Sequence, residues 1–348
     1  MPRKKKHVME TKVRLVDIAE RAKVSRATVS RVLCGGGKGS IRVSESTRKR
    51  IMDLAKEMNF SPDPSARSLA GKNSYIIGCL IDTQASLQKN AILSRIEEML
   101  NERNYRLMIG QAHDSYRRLV KYLADFRSYH VDGLICFAHD YQEFSLADCF
   151  RPEDNVVFID EPNVPISHFV SSDFHQCYQN LVLQLVDAGR SRIGYTTFYS
   201  SLRCNLSKIW GYRAGIHARR LESFELNIEQ IISPKKLAEQ VVAYVRQTQL
   251  DAMILFCNDL FAMAVCRELA AAGFRVPEDV AVIGCDNSAF CEYSTPRLSS
   301  VELFPDTLAE AAVELLFSVI DKRPVPPKVL VAPEVIYRDS TPESLKNG

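Results

Sequence analysis

Apolar residues in the first part of the chain recur at helical spacing. In 13-VRLVDIAERAKVS-25 they stand at 15, 18, 19 and 22, along one face of a helix. Lys23-Val24-Ser25 predicts a short turn, with Ser25 as the N-cap of a second helix over about 26–33. This second helix turns Val29, Val32 and Leu33 inward and leaves Arg26, Ala27, Ser30 and Arg31 outward. A third helix over about 44–58 begins at the N-cap Ser44 and buries Ile51, Leu54, Ala55 and Met58. Two short helices across a tight turn, backed by a third, predict a helix-turn-helix unit.

From residue 75 the period changes. Apolar runs at 75–81, 105–110, 133–138 and 156–160 alternate with helical stretches near 91–103 and 116–129. After 173-DFHQ-176 comes another helix and then the strand 192-RIGYT-196. Helices near 209–222 and 234–248 flank the strand 252-AMILF-256, and a helix over 259–272 leads into 280-VAVIG-284. Strands alternating with helices imply parallel sheets covered on both faces. Their number predicts two doubly wound lobes behind a small all-helical head. Open parallel sheets hold ligands at the C-terminal ends of their strands. The polar residues there are Asp82, Asp160, Asn258, Asp259 and Asp286. Carboxylates and amides lining a dry cleft suit a polyhydroxylated ligand, because each exchanges hydrogen bonds with hydroxyls. Asp259 fits the N-cap of the following helix better than a ligand contact.

Charge separates the two parts. Residues 1–72 hold eighteen Lys and Arg against seven Asp and Glu, a net +11, while the whole chain carries only +3. A basic head on an acidic body points to a polyanionic partner for the head. The ten cysteines show no C-x-x-C spacing, and several lie inside apolar runs. That favours reduced, buried side chains over zinc ligands or disulfides. No cofactor, metal site or catalytic residue is expected: the histidines come without a serine elbow, an H-E-x-x-H or a carboxylate pair close in sequence. The basic N-terminus has no apolar stretch after it, and no apolar run approaches the ~18 residues of a membrane span. The expectation is a cytoplasmic protein without membrane association.

Two linking segments matter. In 63-DPSARSLAGK-72, Asp63 suits an N-cap, Pro64 a first turn and Gly71 a C-terminal stop. The helix between them falls short of the ~12–15 residues that an isolated helix needs in water. It is expected to fold only against a dimer mate or DNA. The loop 34-CGGGKGSIR-42 is no phosphate cradle. Gly37-Lys38 has Val32 where the first glycine of G-x-x-x-x-G-K-[ST] belongs, and a helix precedes it instead of a strand.

The runs 15-LVDIAERAKVSRATVSRVL-33 and 43-VSESTRKRIMDLAKEMNFSPDPSARSLAGK-72 resemble the DNA-binding head of the LacI/GalR family. The body resembles that family's effector domain, which is like periplasmic sugar-binding proteins, over 170–198, 208–216, 251–302 and 337–341. The resemblance implies that Arg26 and Ala27 choose bases, with Arg31 on a base or a phosphate and Ser25, Thr28 and Ser30 capping or holding phosphates. Arginine bridges guanine O6 and N7 for about 1–3 kcal/mol of discrimination, and alanine touches a thymine methyl. In the hinge it implies that Arg67 contacts DNA and that Leu69 wedges into a minor-groove base step, unless Leu69 is core. In the body it implies effector contacts by Asn258, Asp286 and Lys208. The body departs from the family pattern in places: Lys208 stands where an arginine is usual, Phe174 and Cys177 interrupt the usual D-N-x-x-G, and 82-DTQASLQKNA-91 lacks the aromatic that the family often places against the ligand. The link at 34–42 is also longer than the family's usual one.

The expected organisation is a basic arm (1–12), a helix-turn-helix head (13–60), a hinge (61–74), an effector and dimerisation domain (75–341) and a tail (342–348). The N-lobe is expected over about 75–171 and 301–330, and the C-lobe over about 172–298 and 331–341. The function expected is ligand-controlled binding of an inverted-repeat operator in double-stranded DNA by a homodimer. A repressor is favoured over an activator, and a sugar or sugar derivative is the expected effector. With no heptad tail after residue 341, a dimer is favoured over a tetramer. A sugar-binding or sugar-processing protein with a basic appendage is the alternative, distinguished by a lack of salt-sensitive, sequence-specific DNA binding.

Overall fold

The computed structural model describes residues 13–34, 43–58, 60, 73–81, 87–112, 115–137, 149–162, 168–198, 203–228 and 233–346. The expected arm, the loop at 35–42, the hinge with Arg67 and Leu69, and Asp82 lie outside the described residues. The chain divides into two compact units, one built on the head helices and one spanning most of the chain from Ile76 onward.

The head holds α1 (Leu15–Ala22), α2 (Arg26–Cys34) and α3 (Glu45–Glu57). Their ends are set by local hydrogen bonds. The Asp17 carboxylate accepts from the Arg14 backbone N–H at 2.7 Å and closes the first turn of α1. Lys23 ends α1 in the left-handed region (φ 51). There its N–H donates to Glu20 O at 3.2 Å and that of Val24 to Ala19 O at 3.0 Å, a Schellman stop. The Thr28 N–H donates to Ser25 Oγ at 3.1 Å and the Thr47 N–H to Ser44 Oγ at 3.3 Å, so both expected N-caps are in place. Ile18, Ala19, Ala22, Val29, Ile51 and Ala55 form the buried core of the head, with Val32, Leu33, Leu54 and Met58 packed around it.

The body contains two six-stranded sheets. The first runs β11 (Lys328–Val331), β5 (His168–Ser172), β4 (Val156–Ile159), β3 (Gly133–Phe137), β1 (Ile76–Ile81), β2 (Arg106–Gln111), all parallel. The second runs β12 (Glu334–Ile336), β10 (Ser299–Glu302), β9 (Ala281–Cys285), β8 (Ala252–Leu255), β6 (Ile193–Phe198), β7 (Phe224–Ile228). Only β12 pairs antiparallel. Central strands β3, β8 and β9 are buried throughout, as expected where both faces are covered. Helices α4 (Leu87–Glu102) and α5 (Tyr116–Ser128) serve the first sheet; α6 (Phe174–Asp187), α7 (Arg203–Ala218), α8 (Pro234–Thr248) and α9 (Asp259–Ala271) serve the second. Helix α10 (Pro305–Ile320) returns to pack on α4, β3, β4 and β5.

The chain therefore crosses between lobes three times, after Ser172, Glu302 and Val331. The second crossing is displaced from the expected one near residue 300. Strand β10 pairs with β9 through Val301↔Cys285 and keeps residues 301 and 302 in the second lobe. Helices α4 and α7 begin at Leu87 and Arg203, earlier than their apolar periods indicate. Helices α6 and α7 meet closely: a Cβ on Gly211 would lie 2.3 Å from His175 O. This contact, rather than backbone flexibility, is what requires glycine there. Free thiols at Cys79, Cys136, Cys149, Cys177, Cys266, Cys285 and Cys291 are buried, and Cys257 is half-buried. No described helix is long and apolar enough to cross a membrane.

Candidate functional site

In the head, the capped start of α2 presents Arg26 and Ala27 to solvent. Ser25 is exposed as well, but its hydroxyl is shared between the Thr28 N–H and the Thr28 hydroxyl, 2.8 Å away. Ser25 and Thr28 therefore brace the helix end, which leaves Arg26 and Ala27 as the projecting pair. Ser30 and Arg31 are half-buried one turn further on. Arg48, Lys49 and Arg50 on α3 form an exposed run of cations. The apolar period of α3 marks only its buried side and gives no sign of these three.

In the body, the described cleft residues sit on turns just past strand ends. Asp160 follows β4 with φ 69; its N–H donates to Val170 O at 2.9 Å, and Ser171 Oγ reaches its Oδ1 at 3.5 Å. Asn258 occupies the N-cap position of α9 yet makes no side-chain cap bond, and its Oδ1 is buried without a partner. Asp259 does not cap α9 either, contrary to the expectation. Its carboxylate accepts from Ser300 Oγ at 2.5 Å and from the Ser288 N–H at 2.6 Å, and it is 1% exposed. It clamps the turn after β9 onto β10. Burial raises its carboxyl above the usual range, and these hydrogen bonds oppose the rise. A Cβ on Gly284 would lie 2.5 Å from Asp259 Oδ1, so the clamp also needs that glycine.

That turn carries Asp286 and Asn287, both at positive φ (104 and 47). Such backbone in residues other than glycine stores roughly 1–3 kcal/mol and persists only where neighbours hold it. Three hydrogen bonds hold it here. The Asp286 N–H donates to Val301 O at 3.0 Å, the Asn287 N–H to Ser300 Oγ at 3.0 Å, and Asn287 Nδ2 to Glu302 Oε2 at 2.7 Å. Burial pushes the Asp286 carboxyl up to about 7, with Lys208 the strongest influence in the other direction.

A cavity of about 430 Å³ brings Asn258 and Asp286 together with Leu87 of the first lobe and with Leu260, Phe290 and Tyr293 of the second. Asp160 and Lys208 do not line it. Lys208 is 7% exposed; its ammonium donates to Phe256 O at 3.2 Å. Leu260, Phe290 and Tyr293 are themselves well exposed; the last two are hidden in the sequence among the polar residues of 286-DNSAFCEYS-294. Among the described residues no group of three or more His, Cys, Asp or Glu is placed to hold a metal ion.

Residues 14–63 match the family described as bacterial regulatory proteins of the lacI family, and residues 182–341 match the periplasmic binding protein-like domain. An HTH-type transcriptional regulator of Lachnoclostridium phytofermentans is 26% identical over 340 residues, covering 94% of this chain and 99% of the relative. The HTH-type transcriptional repressor PurR of Escherichia coli O139:H28 is 25% identical over 329 residues, covering 93% and 95%. The Lac repressor dimer bound to operator and the anti-inducer ONPF superposes with a TM-score of 0.80 at 21% identity, over 95% of this chain and 99% of the other. This last likeness is one of fold. With head and body matched in the same order as in these regulators, the chain belongs to the LacI/GalR family of bacterial DNA-binding transcriptional regulators.

Proposed function

We propose that this regulator is a cytoplasmic, non-enzymatic repressor that binds an inverted-repeat operator as a homodimer and releases or tightens on it when a sugar fills the cleft. The observation that carries the effector reading is the pairing of Asp286 with the partnerless Asn258 Oδ1 in one cavity, at the ends of adjacent strands. An unpaired buried acceptor costs about 1–3 kcal/mol, which a hydroxyl-bearing ligand recovers. Asp82 and Asp160, which follow strand ends of the first lobe, are assigned to the effector site by that position, although Asp160 does not line this cavity.

In the head, Arg26 and Ala27 read bases, Arg31 contacts a base or phosphate, and Ser25, Thr28 and Ser30 hold the backbone. Arg67 and Leu69 act from the hinge in the minor groove. The body pairs with a second copy. Two heads then meet successive major grooves. Effector binding shifts DNA affinity by its differential affinity for the two lobe arrangements.

Selection of operators from random-sequence DNA, followed by mobility shift across a salt series, tests the DNA half. Recovery of a palindromic consensus is expected. Binding without any sequence preference would refute it. A thermal-shift screen of sugars and sugar derivatives tests the cleft: hits are expected to vanish in Asp286→Asn.

A further inference from the structure

The second crossing between the lobes is short. Glu302 ends β10 in the second lobe and Pro305 opens α10, so only Leu303 and Phe304 lie between them. Phe304 sits in the left-handed region (φ 51, ψ 65), where a bulky side chain is a true outlier. Such backbone persists only where neighbours hold it. The hold here comes from Glu302. Its Oε1 accepts the Phe304 N–H at 2.7 Å, and Phe304 O in turn accepts the Leu308 N–H at 3.0 Å in the first turn of α10.

The other oxygen of the same carboxylate serves the cleft. Glu302 Oε2 accepts from Asn287 Nδ2 at 2.7 Å. A carboxylate only accepts, so Asn287 turns its NH2 group toward Glu302, and its own Oδ1 is left buried without a partner. Asn287 is the neighbour of Asp286 in the cavity wall, and both are at positive φ. Three consecutive residues of β10 thus gather all three outliers. Ser300 Oγ and Val301 O hold the backbone N–H groups of Asn287 and Asp286. Glu302 holds the Asn287 side chain and the crossing at once. The first and third crossings are tied to each other instead, through the Asp173 N–H and Val331 O at 2.8 Å.

We infer that Glu302 is a positioning residue that couples the cleft turn to the second lobe crossing, so that a change at Asp286 and Asn287 is felt at the start of α10. Its regulatory meaning rests on the reading of this cavity as the effector site. A ligand that engages the turn acts on both ends of one carboxylate. Drawing Asn287 away from Glu302 loosens the bond that keeps Phe304 in its left-handed conformation. Helix α10 packs on α4, β3, β4 and β5, so a shift of its first turn is carried into the first lobe as a rigid element moves. The bias on the two lobe arrangements is then set at the cleft and delivered at the crossing.

The test needs no effector. Hydrogen–deuterium exchange of the full-length protein is read at the Phe304 and Leu308 N–H groups. Asn287→Gly removes the side chain that meets Glu302 and suits the positive φ of that position. It should speed exchange at both N–H groups by about tenfold, the scale of one hydrogen bond to a charged group. In Glu302→Ala the exchange should be fast from the outset, and adding Asn287→Gly should change it no further. Glu302→Met, which keeps the length of the side chain without an acceptor, serves if the alanine variant does not fold. Exchange at Phe304 and Leu308 that ignores Asn287→Gly would overturn the inference and leave Glu302 a local brace of the crossing. An equal acceleration with and without Glu302 would overturn it too, because the signal would then travel by another route. A screen in which no compound binds the wild type would count against the effector reading but would not alter these rates, so the two failures are separable.

Discussion

Replacing Asp286 by asparagine should separate the cost of the cleft carboxylate from every other titrating group. Folding raises this carboxyl from an ordinary value of 3.8 to about 7. Between those values the native state holds a proton that the unfolded chain has released. The contribution of the group to stability is therefore fully present below about pH 4 and is lost as the pH rises to 7. Above that, the ionised form costs a steady ~4 kcal/mol, because every tenfold change in proton affinity on folding is worth about 1.4 kcal/mol. Integrated between pH 5 and pH 8, the loss is about 2–3 kcal/mol. Asparagine keeps the shape and cannot titrate. The stability of the wild type minus that of Asp286→Asn should thus fall by about 2–3 kcal/mol from pH 5 to pH 8, a difference in which other titrations cancel. Chemical denaturation of both proteins at both pH values, followed by circular dichroism, measures it. A difference that stays flat, or that grows with pH, would refute the claim that Asp286 is buried at a cost to the fold.

Further outcomes follow from the same geometry. Ser25→Ala removes the acceptor of the Thr28 N–H and should cost about 1 kcal/mol of head stability, read as a lower thermal midpoint, with weaker operator binding. Arg26→Ala should lower discrimination at one base pair of each half-site by about 1–3 kcal/mol, seen by mobility shift against single-base operator variants. If affinity falls equally for all sequences, Arg26 is a phosphate clamp instead. Gly211→Ala drives a methyl into His175 O and should cost about 1–3 kcal/mol of body stability by overpacking, measured by thermal unfolding.

The head was legible because its signals are local. Ser25 and Ser44 act within three residues of themselves, and the apolar faces of the head helices are marked by residues three or four apart. The inner strands β1, β3, β4, β6, β8 and β9 were legible as apolar runs, but the inner strands β5 (HFVSS) and β10 (SSVE) were not, because their serines break the run. Strands β7, β11 and β12 were not, since three to five residues at a half-exposed edge carry no clear period. Helix α10 does carry an apolar pattern and a first-turn proline, so a helix was readable there. Its return to the first sheet was not, because nothing within the helix names the face it will cover. Asp286 and Asn258, which line one cavity, could be singled out by their place after strands. The role of Asp259 could not, because its partners, Ser300 and Ser288, lie 41 and 29 residues away.

By itself the sequence determined the periods, the caps, the basic head on an acidic body and the type of residue at each strand end. These depend on neighbours a few residues apart and on composition. Only the tertiary structure decided which of those residues share a cavity. It set Lys208 against Phe174, Phe256 O and Cys285, at the ends of β8 and β9, and put Asp286 in the cavity wall. The physical reason is that the fate of a charge depends on the low-dielectric contacts around it, and those come from strands and helices far apart along the chain.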